Sequence, residues 1–334
     1  LSYRAATSWR RMANCSFFTD NVNLLVKLRS FVRFDWCLAL ACSVFATLAF
    51  SAQPMLQDKQ WNHGSADCAV NKDPAIEVHS YSSTSYILRQ NKCQSFEAPF
   101  MYLLIGEDSA LLLDTGATAD AVAFPLYETV NALVGEKHLL VVHSHGHRDH
   151  IAADPQFDNR EGVTLVTAGG SGYLETLGIM NWPDGEGRID LGGRELRVIP
   201  VPGHQEESIA IYDPETQWLL TGDTVYPGLI YVKNWDDYRM SIARLARFAS
   251  ANDVSMVLGA HIEVTHRQGE YYPVGTSYQP EEAPLPINPA TLSLMHTELE
   301  KLPKANEVEL ARLRIIPMNL MQRTLTDFAR WMMK

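Results

Sequence analysis

The chain has 334 residues, 46% of them hydrophobic and 20% charged, enough for one large domain or two small ones around a sizeable core. Its formal net charge is −11 and no run of Lys and Arg exceeds a pair, so an electrostatic grip on a phosphate backbone has no support. Nucleic acid is therefore excluded as an expected partner.

Residues 36–50 read WCLALACSVFATLAF, fifteen without a charge, preceded by Lys27, Arg29 and Arg33 and followed by small residues up to Ala52. This is a signal-peptide pattern. The alternatives are a buried helix or a membrane anchor, but the stretch falls short of the roughly 20 residues that span a bilayer. Residues 1–52 are thus expected to be a signal peptide with an upstream leader, and the mature protein periplasmic or secreted, with no membrane attachment. A start at Val26 would give a compact basic leader, whereas Ala39, Leu40 and Ala41 before Cys42 are out of order for a lipoprotein signal. Losing the leader would carry the net charge from −11 to −15 and give a surface that repels polyanions. Cys15, Cys37 and Cys42 would leave with it; Cys68 and Cys93 would then pair in an oxidising compartment or remain two separate thiols.

Residues 53–75 are polar without an apolar period and read as an extended arm. The main domain is expected over 76–265. It opens with two apolar runs, PFMYLLIG and SALLLDTG, separated by Glu107 and Asp108 as in a hairpin. A helix is predicted over Ala119–Leu133 and a buried strand over 138–142, running straight into a His-rich loop. Further strands are predicted at 163–168, 194–201, 208–213, 217–223 and 255–260, with turns at Gly192, Gly193, Asp213 and Pro214. A helix over 236–250 carries an apolar stripe of Ile242, Leu245, Ala246 and Phe248, which reads as a core face. Residues 266–334 are expected to form a long loop, 266–288, then helices over 289–302 and 318–333 packed on the domain. That loop is either a lid or a plain connector. Alternation of strands and helices indicates an α/β layered domain, with no internal repeat.

His143, His145, His147 and His150 fall within eight residues, with Asp149 between them, in a chain of only eleven His. Alternate residues of an extended segment point the same way, so His145 and His147 can reach one ion, while Asp149 and His150 on the following turn would reach a second. Neutral imidazole and carboxylate suit zinc, and no Cys lies near them, as a closed structural zinc site would favour. His143, His138, His266 and His296 read as structural or surface residues, and His63 and His79 lie outside the pattern.

HGHRDH at 145–150 resembles the HxHxDH signature of the metallo-β-lactamase superfamily, and downstream segments resemble that family in order: PGHQEES with His204, TGDTVYPG with Asp223, and GAHIE with His261. The resemblance covers roughly residues 85–265. It implies a four-layer αββα sandwich with a C-terminal helical extension, and two Zn2+, with iron or manganese as alternatives. One ion would be held by His145, His147 and His204, the other by Asp149, His150 and His261, with Asp223 shared. Asp114, in LLLDTGAT, would brace a metal-binding His from behind, or else serve only the turn. A water between the two ions would be acidified for attack on an electrophile, with Asp149 orienting it or carrying its proton. The commoner GHTxGS of the family is here Gly203, His204, Gln205, Glu206, Glu207 and Ser208, which keeps the ligand and alters its surroundings.

A carboxylate at the Asp223 position resembles glyoxalase II, lactonases, arylsulfatases and RNA-processing nucleases more than the antibiotic-degrading members. Charge and export argue against the nuclease, and the basic glutathione-gripping pattern of glyoxalase II is not apparent in 281–334. The expectation is a hydrolase of a small ester, lactone or thioester-like substrate, with β-lactam turnover or an iron-dependent sulfur dioxygenase as alternatives, and a non-enzymatic binding module as a third. Tyr226, Tyr231, Trp235 and Tyr272 are candidate substrate contacts, by position after Asp223 or in the long loop.

Overall fold

The computed structural model describes residues 55–324, so the expected signal peptide and most of the helix expected over 318–333 lie outside the described residues. The first half builds one mixed sheet. Strands β1 (Ile76–Ser80), β2 (Ser85–Gln90), β3 (Phe100–Ile105) and β4 (Ser109–Leu113) run as an antiparallel meander. Helix α1 (Leu126–Val134) then crosses to β5 (His138–Val142), parallel to β4, and after the short helix α2 (Arg148–Ile151) β6 (Val163–Leu165) joins parallel to β5. Helix α1 starts seven residues later than expected because Pro125 stands at its N-cap. Proline disfavours helical backbone in the residue before it and donates no N–H, so it begins a helix better than it continues one.

The second half follows the short helix α3 (Tyr173–Thr176). Strands β7 (Gly187–Asp190), β8 (Glu195–Pro200), β9 (Ile209–Asp213) and β10 (Trp218–Gly222) pair antiparallel in turn. Strand β11 (Leu229–Val232) leaves this sheet, helix α4 (Trp235–Ala251) crosses it, and β12 (Met256–Gly259) closes it parallel to β10. Asn234 caps α4 by accepting the Asp237 N–H at 3.3 Å.

The strands β3, β4 and β5 read as continuous apolar runs because both of their faces are buried. One face, Tyr102, Leu104, Leu111, Leu113 and Val142, meets Leu196, Val198, Ile211, Trp218 and Leu220 of the second sheet. The other, Met101, Leu103, Leu112 and Val141, is covered by Leu126, Val130 and Val134 of α1. The outer face of the second sheet, with Ile199, Ala210, Leu219 and Val257, is covered by Ile242, Leu245 and Phe248 of α4. The layers therefore run helix, sheet, sheet, helix, an α/β sandwich.

The C-terminal extension contains helix α5 (Ala290–Glu300), which packs Leu292, Met295 and Leu299 into the α4 side of the core. Beyond it, β13 (Val308–Leu310) and β14 (Leu313–Pro317) form a hairpin that adds to β11 as a three-stranded sheet. These strands and β7 escape a sequence reading because each is short and none is a continuous apolar run such as that of β5. Residues 55–75, expected as an extended arm, lie against the sandwich. Leu56 and Trp61 are buried in the central core, Trp61 edge-on to Phe100, and Cys68 is disulfide-bonded to Cys93. The loop 266–288 is anchored in its second half, where Ala283, Leu285 and Ile287 are buried and Gln279 N donates to His63 O at 2.8 Å.

Candidate metal centre

The carboxyl ends of β5, β8, β10 and β12 converge on one point, and each delivers a chemically active residue just past its last hydrogen bond. His145 and His147 follow β5, Asp149 and His150 lie on α2, His204 follows β8, Asp223 follows β10, and His261 follows β12. The seven fall into two groups that share Asp223, His145–His147–His204–Asp223 and Asp149–His150–Asp223–His261, with donor atoms in each group within 4.8 Å of one another. The Asp223 carboxylate stands between them. Its Oδ2 lies 3.8 Å from His145 Nε2 and 3.6 Å from His204 Nε2, and its Oδ1 lies 3.4 Å from His150 Nε2 and 3.3 Å from His261 Nε2. Asp149 Oδ2 faces the same two rings at 3.3 Å each. The approach of β10 requires Gly222, since a Cβ there would come within 2.4 Å of the Ser144 side chain, at a φ of +50°.

Behind these atoms the rings are oriented by partners on their far sides. Asp114 accepts from Ser144 N at 2.7 Å and from Ser144 Oγ at 2.8 Å, and its Oδ2 lies 2.9 Å from His150 Nδ1. It holds a φ of +69°, in the left-handed region that Asp tolerates better than most residues. His204 Nδ1 lies 2.7 Å from Tyr231 O, and His261 Nδ1 lies 3.0 Å from Glu97 O. His147 Nε2 is 2.7 Å from the Gln205 side-chain amide. Each of these imidazoles thus has one nitrogen engaged and the other turned to the cluster, the arrangement that orients metal-binding His.

The donor set fits divalent cations. His145 Nε2 and Asp223 Oδ1 are buried without a hydrogen-bond partner, which is costly unless something else satisfies them. Imidazole and carboxylate suit zinc, iron or manganese, and Cys68 and Cys93 are bonded to each other and so offer no thiolate.

The two groups differ electrostatically. Burial, with the neighbouring rings, holds His145 well below its usual pKa and takes His147 down to about 3, and burial also lowers His204. In the second group burial acts in the same sense on His150 and His261, but the Asp149 and Asp223 carboxylates outweigh it and hold both rings well above the usual value. Burial likewise opposes ionisation of Asp149 and Asp223, and the His150 and His261 charges override it, holding both carboxyls well below the ordinary range.

The remaining candidates separate. Tyr231 is half-buried and contributes the carbonyl that fixes His204. Tyr226 is buried, its ring 5.5 Å from that of His261 and its hydroxyl bonded to Leu229 O. Trp235, expected as a substrate contact, is buried on the core face of α4, with its indole N–H donated to Leu302 O at 3.1 Å, so it packs rather than faces a cleft. Tyr272 is half-buried and lines a small recess with Lys92, Glu97 and Glu263, its hydroxyl accepting Glu281 N. His143 is buried outside both groups, its Nε2 3.2 Å from Asp154. Ser144, Gln205 and the carbonyls of Glu97 and Tyr231 were not foreseen. A carbonyl carries no residue-type signal, and the two side chains acquire their partners only through long-range folding.

A family model described as the metallo-beta-lactamase superfamily matches residues 96–261, the stretch that contains all seven donor residues. The chain belongs to this superfamily. Relatives within it include a hydroxyacylglutathione hydrolase of Anaeromyxobacter dehalogenans, 30% identical over 38% of this chain and 46% of its own. An acyl-coenzyme A thioesterase of Homo sapiens is 25% identical over 56% of this chain and 82% of its own. A metallo-beta-lactamase from Pontibacter korlensis has 19% identity and a TM-score of 0.45, covering 67% of this chain and 99% of its own. The chain spans about half the length of the hydroxyacylglutathione hydrolases it matches.

Proposed function

We propose that this protein is a divalent-cation-dependent hydrolase that cleaves an ester, lactone or thioester of a small acyl compound outside the cytoplasm. The observation that carries the reading is the Asp223 carboxylate, whose two oxygens face two separate donor groups at 3.3–3.8 Å. Two divalent cations, zinc by preference, would supply Lewis acidity there, polarising a substrate carbonyl and acidifying water.

The protein's own residues account for the rest. His145, His147 and His204 are held neutral by burial, so they present lone pairs rather than protons. Of the seven donors only His147 and Asp149 are partly exposed, the Asp149 side chain being 22% accessible, against 9% or less for Asp223 and the rings of His145, His150, His204 and His261. Asp149 is therefore placed to orient an attacking water at the mouth of the centre and to accept its proton. Asp114, Tyr231 and Glu97 keep the rings from turning while charge develops.

The relatives support acyl transfer to water, since the names of two of them state hydrolysis of a hydroxyacylglutathione and of an acyl-coenzyme A thioester. The Cys68–Cys93 bond supports an oxidising compartment.

The test is acid release, followed by pH-stat, against a thioester, a lactone, an aryl ester and a cephalosporin, using protein lacking residues 1–52 and supplied with zinc. Chelator-sensitive release from one class is expected. Silence on all four, with iron bound and oxygen consumed, would overturn the reading in favour of an oxidation.

A further inference from the structure

We propose that the recess bounded by Glu97, Tyr272 and Gln279 selects substrates whose acyl part carries a primary ammonium group, with Glu97 as the residue that recognises it. The inference rests on the reading of the neighbouring centre as a hydrolase and names the class of acyl compound that it takes.

The recess lies on the His261 side of the centre. Glu97 borders it, with its backbone carbonyl 3.0 Å from His261 Nδ1 and its carboxylate close enough to interact with the charges of His261, Asp149 and Asp223. That side chain is half-buried and, among the described residues, has no hydrogen bond or ion pair. The other charged groups nearby are engaged. Glu263 accepts Leu229 N at 2.8 Å and is hydrogen-bonded to Tyr226. Lys92 Nζ donates to Phe96 O at 3.1 Å and lies 3.7 Å from Glu282, which is itself held by two bonds of 2.6 Å from Arg89. The carboxylates of Glu97, Glu263 and Glu282 thus face only the cations of Arg89 and Lys92, and the surplus negative charge rests on the unpaired Glu97. A partly desolvated carboxylate of this kind is costly without a counter-charge.

A second observation, independent of charge, asks for the same ligand. Gln279 lines the recess and is 4% exposed, and its Oε1 is buried without a hydrogen-bond partner. Its Nε2 donates to Thr276 O at 3.3 Å, which settles which end of the amide is the oxygen. A buried acceptor needs a donor, so a ligand here must donate hydrogen bonds as well as carry positive charge. The free volume of about 10 Å3 has room for about one water-sized group. That admits an –NH3+ head and rejects a guanidinium or a trimethylammonium. A primary ammonium brings three donors, of which Glu97 and Gln279 take two, and the rings of Phe96 and Tyr272 at the recess suit a cation.

The walls of the recess are fixed before any ligand arrives. Cys93, in the loop that carries Glu97, is bonded to Cys68, Gln279 N donates to His63 O at 2.8 Å, and the Tyr272 hydroxyl accepts Glu281 N at 2.9 Å. Preorganised partners lose little freedom on binding. A substrate with its carbonyl at the centre and its ammonium in the recess is therefore held at two points, which restricts the orientation of the bond to be cleaved. Glu97 serves both ends, since its carbonyl orients His261 and its carboxylate takes the ammonium.

The test measures, by calorimetry, binding of ω-amino carboxylates of graded length, the acid products of such substrates, to the zinc-supplied protein. Plain carboxylates of the same lengths are the reference, and Glu97→Gln and Gln279→Leu are compared with wild type. At the length that spans centre and recess, the ammonium compound is expected to bind wild type about 10-fold more tightly than its plain counterpart, as one hydrogen-bonded charge pair would give. The ratio should fall to near one in Glu97→Gln and part of the way in Gln279→Leu. The ratio of kcat/KM for aryl esters of the two series should follow the same pattern. Equal binding of both series at every length in wild type, as for a recess that only holds water, overturns the proposal, and so does a preference that survives Glu97→Gln. Should Glu97→Gln fail to fold, the wild-type ratio still decides whether the ammonium is preferred, and Gln279→Leu decides whether the recess is where it binds. Binding of both series without preference sinks this proposal alone, whereas binding of neither series with no ester hydrolysed sinks the reading of the centre as well.

Discussion

Asp114 holds His150 from behind, its Oδ2 2.9 Å from Nδ1, while the same carboxylate takes both the backbone and hydroxyl protons of Ser144. One side chain thereby orients a donor ring and the residue preceding His145. Replacing Asp114 by Asn keeps a residue that tolerates the left-handed backbone but removes one acceptor. We expect Asp114→Asn to lower cation affinity at the His150 group about 10–100-fold with little change in the thermal midpoint. Asp114→Ala should lose the same affinity and also about 1–3 kcal/mol of stability, because Ala is strained at φ +69°. Chelator competition and calorimetry on both variants check this; unchanged affinity in both would refute the bracing role.

The Cys68–Cys93 bond ties residues 55–75 to the loop that ends at Glu97, whose carbonyl fixes His261. The bond closes a loop of sequence separation 25, for which the chain-entropy treatment gives about 3.5 kcal/mol of stabilisation. Cys68→Ser with Cys93→Ser should lower the unfolding free energy by that order, measured by urea titration. Limited proteolysis should then cut the 55–75 segment first.

The convergence of the seven donors was legible in the sequence because it depends on residue type and spacing. HGHRDH places alternating rings on an extended segment and an adjacent pair on the next turn, and His204, Asp223 and His261 each follow a readable strand. Both sheets were legible where strands are buried on two faces, as in β3, β4 and β5. Trp235 was misread because an aromatic residue after Asp223 looks the same in sequence whether it lines a cleft or caps the core face of α4. Gln205 gave no sign of its role, since its partner His147 is 58 residues away and only the folded turn brings them to 2.7 Å. The β13–β14 hairpin was hidden for another reason: short strands owe their existence to pairing with β11, which is a tertiary fact.

Away from the centre, Arg194 and Asp213 form a buried pair at the edge where the two sheets meet. Arg194 Nε and Nη2 donate to the two Asp213 oxygens at 3.0 and 2.5 Å, and Nη1 and Nη2 also reach Thr84 O, Ile105 O and Ser85 Oγ. Burial alone would raise the Asp213 pKa, but its bonds from Arg194 and Thr216 outweigh that and hold it below the usual value. The folded pKa is therefore depressed relative to the unfolded chain. Stability from this pair is complete above the unfolded value of about 3.9 and is lost as pH falls through the lower folded value. Asp213→Asn should cost about 3–5 kcal/mol at pH 7, since it strands a buried guanidinium, and the difference from wild type should shrink below pH 3. Urea titrations of the two proteins at pH 7 and pH 3 check the sign; a difference that grew on acidification would contradict it.

Cation removal gives the last test. His145 Nε2 and Asp223 Oδ1 are buried without hydrogen-bond partners, and the second group sets two carboxylates against two charged rings. A ligand that binds only the folded state stabilises it by mass action, about 2.7 kcal/mol at 100 times the dissociation constant. Zinc should therefore raise the thermal midpoint of chelator-stripped protein, and the rise should scale with the logarithm of free zinc. Because Asp223 serves both groups, Asp223→Ala should abolish most of the rise, whereas Asp149→Ala should remove only the part due to the second ion. A full zinc response in Asp223→Ala would mean that the two groups do not share that carboxylate, and the centre would then have to be redrawn as two independent sites.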